Sequence, residues 1–404
     1  MSGSRYGRFE SMTRMTDNLW LSRYALLTAA ATLVLICFGG LVTSHGAGMA
    51  VPDWPTTFGY NLFFFPIPKW VGGVFYEHTH RLVASGVGLL TTILAAWIWL
   101  KESRRWVRWL GGIAFLAVVL QGVLGGLRVV LFKDEIGIFH AALGQLFFVL
   151  TCAIALFTHR WWFNAPALKS ALPDSGRFRP LFLFTTLLVF AQLILGATMR
   201  HQHAGLAIPD FPGAYGRIWP GLDADSIARY NQQRLDVNAV NPITAFQVVL
   251  QMAHRIMAVA LLLLVAYSAW LARRRLGQQH PLSKVAAAWL GLVAVQIILG
   301  AATIWTGKSA DLATAHVAFG ALTLMTGTML SIIAFRCLVP AAKQERIKEP
   351  TPAIGDHERV QTEARTAFSA QSGRQSLNYA EEAVRAPGGR FIQSGAGIDL
   401  NFSG

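Results

Sequence analysis

The sequence predicts an all-α integral membrane protein: eight transmembrane helices arranged as two parallel-repeat four-helix bundles. Three observations predict it. Of 404 residues, 53% are hydrophobic and only 14% are charged, where a soluble domain carries about 25% charged residues. The deficit is concentrated in long apolar runs such as 25–42, 115–130 and 258–271, and about 20 apolar residues cross a bilayer core as a helix. The second half of the chain also repeats the first. A soluble enzyme, a nucleic-acid binder and a disordered chain are thereby excluded. The formal charge of +14 reports loop topology, because basic residues accumulate on the cytoplasmic loops of membrane proteins.

In chain order the spans fall at 24–43, 76–100, 106–131, 136–158, 180–199, 244–272, 285–305 and 312–339. The first is followed by no small-residue cleavage site and reads as a retained helix, not a signal peptide. Arg5, Arg8, Arg14 and Arg23 precede it, and Lys101, Arg104, Arg105 and Arg108 follow the second span. Arg160, Lys169, Arg177 and Arg179 separate the fourth and fifth, and Arg273, Arg274, Arg275 and Lys284 the sixth and seventh. These loops are expected to be cytoplasmic, in a bacterial inner membrane, with both termini inside and the long loops 44–75 and 200–243 outside. The expected divisions are an N-terminal cytoplasmic segment 1–23, a first half 24–170, a second half 171–340 and a polar, disordered cytoplasmic tail 341–404. Cys37, Cys152 and Cys337 all fall in apolar runs, which argues against a loop disulfide framework.

The repeat is explicit. Gly48-Met49-Ala50-Val51-Pro52-Asp53-Trp54-Pro55 returns as Gly205-Leu206-Ala207-Ile208-Pro209-Asp210-Phe211-Pro212. Glu77-His78-Thr79-His80-Arg81 aligns with Gln251-Met252-Ala253-His254-Arg255, Gln121-Gly122-Val123-Leu124-Gly125 with Gln296-Ile297-Ile298-Leu299-Gly300, and His140 with His316. Four spans per half give both halves the same orientation, so an axis along the membrane normal should relate them.

His80, His140, His254 and His316 stand near the starts of the second and fourth spans of each half. They lie roughly 6–12 Å below the outer edge at 1.5 Å of rise per residue. One pair per half at one depth suits bis-histidine haem ligation, and ionisable residues inside a membrane are costly and usually functional. Core histidines bonded to a neighbouring carbonyl or hydroxyl are the competing reading. Zinc wants three or four clustered ligands, and no Cys or Asp stands near either pair within the membrane. Arg81 and Arg255 follow two of the histidines and offer either a propionate clamp or a structural pairing with Asp53 and Asp210, or snorkelling to headgroups. Arg128 offers such a clamp in the first half alone. Glu77, three residues before His80 and on the same helix face, is matched by Gln251. It is either an acid–base beside the first pair or a carboxylate paired with Arg81 or Lys69. His78 points to another face. His45, His201 and His203 are read as solvated, the alternative being a role toward propionates or protons. The Pro-Asp-Trp-Pro and Pro-Asp-Phe-Pro segments read as rigid outer turns able to cap a pocket. Glycines such as Gly39, Gly40, Gly125, Gly126 and Gly196 permit close helix packing or the approach of a flat macrocycle.

Over about 24–339 the chain resembles the heme A synthase family. The resemblance rests on Gly40-Leu41-Val42-Thr43 leading to Pro52-Asp53-Trp54-Pro55, on Glu77-x-x-His80-Arg81, Phe139-His140-Ala141, Ala253-His254-Arg255, Gly196-Ala197-Thr198-Met199-Arg200-His201, and Ala315-His316. It implies oxidation of the C8 methyl of heme O to the formyl group of heme A, through a hydroxylated intermediate. It implies a cofactor heme b on His254 and His316, and substrate heme O on His80 and His140, with Glu77 as catalytic acid–base. It further implies membrane lipids, heme O synthase and cytochrome oxidase assembly proteins as partners, with room for a homo-oligomer. Some members carry a cysteine pair in an outer loop; this chain has none, so it resembles the cysteine-free type. Two other functions compete. A transmembrane di-haem electron carrier needs haems near both faces, whereas these histidines cluster toward one. A non-catalytic haem-delivery or oxidase-assembly protein needs no acid at Glu77.

Overall fold

The computed structural model describes residues 19–164, 175–236 and 242–338. The expected tail 341–404, most of the N-terminal segment and the boundary at 170/171 lie outside the described residues. The ordered elements are α1 (Leu19–Ser44), α2 (Gly72–Lys101), α3 (Arg105–Val130), α4 (Asp134–Thr158), a short α5 (Arg160–Asn164), α6 (Ser175–His201), α7 (Ala224–Asp236), α8 (Ala245–Leu276), α9 (Pro281–Trp305) and α10 (Ala310–Cys337). Among the described residues there is no β-strand, only the isolated bridges Thr57–Tyr60 and Ala214–Arg217. Eight helices, all but α5 and α7, are long and apolar enough to cross a membrane. Each expected span lies on one of them, within a few residues at either end.

These helices carry apolar side chains all round, as membrane-spanning helices do. Leu27, Leu89, Leu116, Leu187, Leu263 and Ile298 are exposed, in positions that suit lipid. Helix ends follow local chemistry. Thr244 and Gln247 form a capping box at the start of α8, satisfying two backbone donors reciprocally. Pro281 opens α9 behind the His280 cap, where its missing N–H costs nothing.

The packing has two rings. In the first half α1 packs on α2, α2 on α3, α3 on α4 and α4 on α1; in the second half α6, α8, α9 and α10 close a ring in the same order. Between the rings α1 meets α10, α4 meets α6, and α4 meets α10. Exchanging the halves leaves that pattern unchanged, which is compatible with the parallel repeat. The element the sequence reading left as loop is α7, in the connection before α8. It has no first-half counterpart, where the loop holds only the short 3-10 turns Leu62–Phe64 and Ile67–Lys69.

Each ring keeps its apolar core at the end away from the long loops. Leu21, Val87, Leu94, Ile98, Phe147 and Ile154 fill the first; Phe178, Phe182, Val265, Trp289 and Leu330 fill the second. Trp289 is fully buried and donates its indole N–H to the Thr323 carbonyl at 2.9 Å. The indole fits because Gly327 has no side chain: a Cβ there would stand 2.5 Å from Trp289 Cζ2 and 2.7 Å from Thr186 Oγ1. Gly327→Ala should therefore cost about 1–3 kcal/mol by overpacking. Thermal unfolding of the detergent-purified protein checks this: Gly327→Ala should unfold earlier. Gly88→Ala, where a Cβ meets nothing within 4 Å, should not.

Candidate functional site

The loop ends of the helices hold the polar chemistry. His80 on α2, His140 on α4, His254 on α8 and His316 on α10 all lie near the starts of their helices. At about 1.5 Å per residue, each is on the order of 9–14 Å in. Each ring lies edge-on against a glycine of the neighbouring helix. A Cβ on Gly39 would be 3.2 Å from His80 Cε1, on Gly125 3.3 Å from His140 Cε1, on Gly196 3.1 Å from His254 Cε1, and on Gly300 3.2 Å from His316 Cε1. Glycine is required there for the helices to approach closely enough to hold the rings.

In the second half the His254 and His316 rings face each other with centroids 6.4 Å apart and planes at 65°. Two metal–imidazole bonds of about 2 Å, with roughly 1 Å more from each nitrogen to its ring centre, span such a gap. Nδ1 of all four histidines is buried without a hydrogen-bond partner. Each Nδ1 faces the neighbouring glycine, 3.7 Å from where its Cβ would be, which leaves Nε2 as the nitrogen able to reach a metal. Among the described residues no three His, Cys, Asp or Glu side chains gather at one point; the site offers ligands in pairs. Imidazole pairs of this kind fit a haem iron, which needs only two axial protein ligands.

Glutamines hold the backbone at the same level. Gln121 Nε2 donates to the His140 carbonyl at 3.0 Å, Gln192 Nε2 to that of His254 at 2.9 Å, and Gln296 Nε2 to that of His316 at 2.8 Å. Each glutamine stands four residues before the glycine that receives the ring. The sequence signal is a Gln-x-x-x-Gly spacing present three times within the apolar spans; two copies align the halves, but bonding to the histidine carbonyls cannot be read from it.

Glu77 and Gln251 occupy matched places in matched latches. Glu77 Oε2 accepts the Val51 N–H at 2.9 Å, and Oε1 accepts Arg81 Nη2 at 2.7 Å. Gln251 Oε1 accepts the Ile208 N–H at 2.6 Å, while Nε2 donates to the Gly205 and Ile208 carbonyls. The loop is thus pinned to the histidine-bearing helix in both halves. Arg81 completes the first latch by donating to the carbonyls of Asp53, Thr56 and Val51 at 2.7–2.9 Å. Arg255 donates to those of Gly213 and Asp210, both at 2.7 Å. Both arginines therefore meet the aspartate backbone, not the carboxylate.

Those carboxylates fold their own loops. Asp53 accepts the N–H groups of Phe58 and Gly59, at 2.7 and 2.9 Å, and Asp210 accepts those of Tyr215 and Gly216 at the same distances. Gly59 and Gly216 have φ of 75° and 72°, the left-handed region that glycine enters freely. The Trp54–Pro55 and Phe211–Pro212 peptides are both cis.

Outside the matched parts the halves differ. Arg128 Nη2 bonds Asp134 Oδ1 at 3.2 Å, and its Nε is buried without a partner. His201 is 9% exposed, packed against Gly137 with Nδ1 3.8 Å from the Asp134 carboxylate. The expectation that it is solvated is corrected: its ring reaches from α6 to α4, a contact visible only in three dimensions. The His203 side chain is 71% exposed, and His45 stacks on Tyr76 with centroids 4.0 Å apart. His78 is fully buried against Phe65 and Trp70, with Nδ1 3.1 Å from Thr57 Oγ1, away from the pair. Arg200 ties α6 to α1 through the Gly40 carbonyl and Ser44 Oγ, at 2.6 and 2.5 Å. The second loop is thickened by α7, whose Tyr230 stacks on Tyr215 at 3.5 Å.

Residues 67–328, which include Glu77 and all four histidines, match the family model COX15-CtaA, described as cytochrome oxidase assembly protein. The chain belongs to this family. It is 26% identical over 327 residues to the heme A synthase of Geobacillus kaustophilus, covering 78% of this chain and 92% of that protein. It is 29% identical over 212 residues to the heme A synthase of Shouchella clausii, covering 51% and 68%. It is 23% identical over 336 residues to that of Listeria welshimeri, covering 81% and 98%. The family read from the motifs is the family found, and membership carries a multi-pass membrane protein with a haem-related substrate and cofactor.

The Asp53 loop yields a pH test. Burial pushes the Asp53 carboxyl up, but bonds from the Gly59 N–H, the Thr56 hydroxyl and the Phe58 N–H outweigh it and hold it below its ordinary 3.8. Because folding lowers this pKa, its stabilisation is complete above the unfolded value and is lost as pH falls through the folded one. The protection of the Phe58 and Gly59 amides, measured against the intrinsic exchange rate at the same pH, should be high at neutral pH and fall below about pH 4. In Asp53→Asn that fall should be absent; equal protection-against-pH profiles for the two proteins would contradict the assignment.

Proposed function

We propose that this protein is a heme A synthase that oxidises the C8 methyl of heme O to the formyl group of heme A, through a hydroxylated intermediate. The observation that carries the reading is the matched pair of imidazole pairs, each ring seated on a glycine of the neighbouring helix. His254 and His316 would hold heme b as resident cofactor, and His80 and His140 would bind substrate heme O. Bound heme b supplies one-electron redox chemistry tuned by its axial ligands. Converting a methyl to a formyl group takes up one water oxygen and releases four electrons and four protons. Acceptors for both must therefore be at hand. All four histidines lie toward one end of the bundle, which supports this reading over a carrier moving electrons between the two membrane faces.

Glu77 supplies the ionisable group beside the first pair. Its carboxylate neutralises Arg81 and can exchange a proton with water or substrate near the methyl. Propionates would meet the cations at the loop end. Arg128 and Arg255 each keep a buried Nε without a partner, whereas the Arg81 Nη groups are given to loop carbonyls and to Glu77. The protein would lie in the inner membrane with both termini cytoplasmic and the histidine end outside, as the loop charges support. It would act beside heme O synthase and oxidase assembly proteins.

Glu77→Gln tests the acid, because Gln251 shows that an amide accepts the loop N–H at the matched place. The variant should keep its fold and bound haem while heme O conversion falls at least about tenfold, conservatively within what one preorganised charge contributes. Wild-type conversion would reduce Glu77 to a latch. His254→Ala and His316→Ala should each lose heme b while remaining membrane-inserted, measured by the pyridine haemochrome of the purified protein. Undiminished heme b in both would overturn the cofactor assignment.

A further inference from the structure

Three of the four histidines have their backbone carbonyl clamped by a glutamine, and the fourth does not. The clamps run from α3 to His140, from α6 to His254 and from α9 to His316. Each glutamine lies one helical turn before the glycine under the ring. On α1 the glycine is Gly39, against His80, and the residue one turn before it is Leu35. A leucine has no donor, so His80 is seated on its glycine without the amide that fixes the other three.

A helix carbonyl keeps a second lone pair after its i+4 bond, and the glutamine amide fills it across the helix interface. That bond sets the separation and the rotation of the ligand-bearing helix at the level of the ring. In the second half both ligand helices are fixed in this way. In the first half only α4 is fixed; at the matched place on α1 stands Leu35, partly buried and packed against the first core. The two haem sites thus have equal ring seats and unequal restraint.

We propose that Gln121, Gln192 and Gln296 are positioning residues that set haem residence time, and that Leu35 leaves His80 as the ligand that lets go. The idea rests on the two-haem reading above. It makes the second-half site a retaining site for an iron porphyrin. The first-half site becomes an exchanging one, as a site must be whose occupant enters as substrate and leaves as product. His80 is the hinge of that exchange because its bond to iron breaks with the least restraint from the neighbouring helix.

The test is transfer of haem from the purified full-length protein, loaded with hemin, to excess apomyoglobin, followed by absorbance. Wild type should release haem in two phases, the fast one from the first half. Leu35→Gln should slow the fast phase about three- to tenfold, the range one interhelical hydrogen bond provides, and leave the slow phase unchanged. Leu35→Met, with similar volume and no amide, should leave both phases as they are. Gln192→Leu should quicken the slow phase by a similar factor without altering the fast one, and carries the test if Leu35→Gln does not fold. A single release rate in wild type would overturn the proposal. So would phases unmoved by both Leu35→Gln and Gln192→Leu, or equal slowing by Leu35→Gln and Leu35→Met. A protein that binds no hemin, or shows no low-spin bis-histidine spectrum, would instead bring down the two-haem reading itself.

Discussion

Everything at the loop end of this molecule depends on how closely four pairs of helices approach at the histidines. Gly39, Gly125, Gly196 and Gly300 each leave room for one imidazole edge at 3.1–3.3 Å from where a Cβ would be. A membrane bundle gains little from burying apolar surface against apolar lipid, so close packing through small residues and interhelical hydrogen bonds must hold it. Here the same small residues that allow packing also seat the rings. The fold and the site are one construction, and a side chain at any of these glycines would disturb both.

Duplication supplied the frame, and a few departures from it supply direction. Glu77 and Gln251 make the same loop latch, but only one can carry charge. Leu35 and Gln192 stand at the same turn, but only one clamps a carbonyl. Arg128, Asp134 and His201 meet where α3, α4 and α6 come together, while α7 builds up the loop of the second half alone. In the function proposed above, these positions are where two matched pockets become a reacting one and a holding one.

Much of this was legible in the sequence because it was written in periods. Span length, loop charge and repeated histidines are one-dimensional patterns, and the eight helices and the shared level of the four histidines followed from them. What stayed hidden depends on contacts between distant segments. Arg81 reads as a candidate anion clamp until the loop folds and presents three carbonyls to it. His201 reads as a loop residue until α6 carries it against Gly137 on α4. Gln192 is marked in sequence only by its spacing to Gly196, and its partner is 62 residues away. The polar, amphipathic α7 had no apolar span to announce it, and its hold comes from Tyr215, Leu206 and Ile243, on segments beyond its own ends.

The central claim is that one pair of histidines presents a haem for oxidation while the other retains one. Haem extraction and chromatography of the protein, purified from cells that supply heme O, addresses it most directly. The account predicts heme b together with heme A or a hydroxylated heme O. Heme b alone, with heme O abundant in the same membranes, would contradict it.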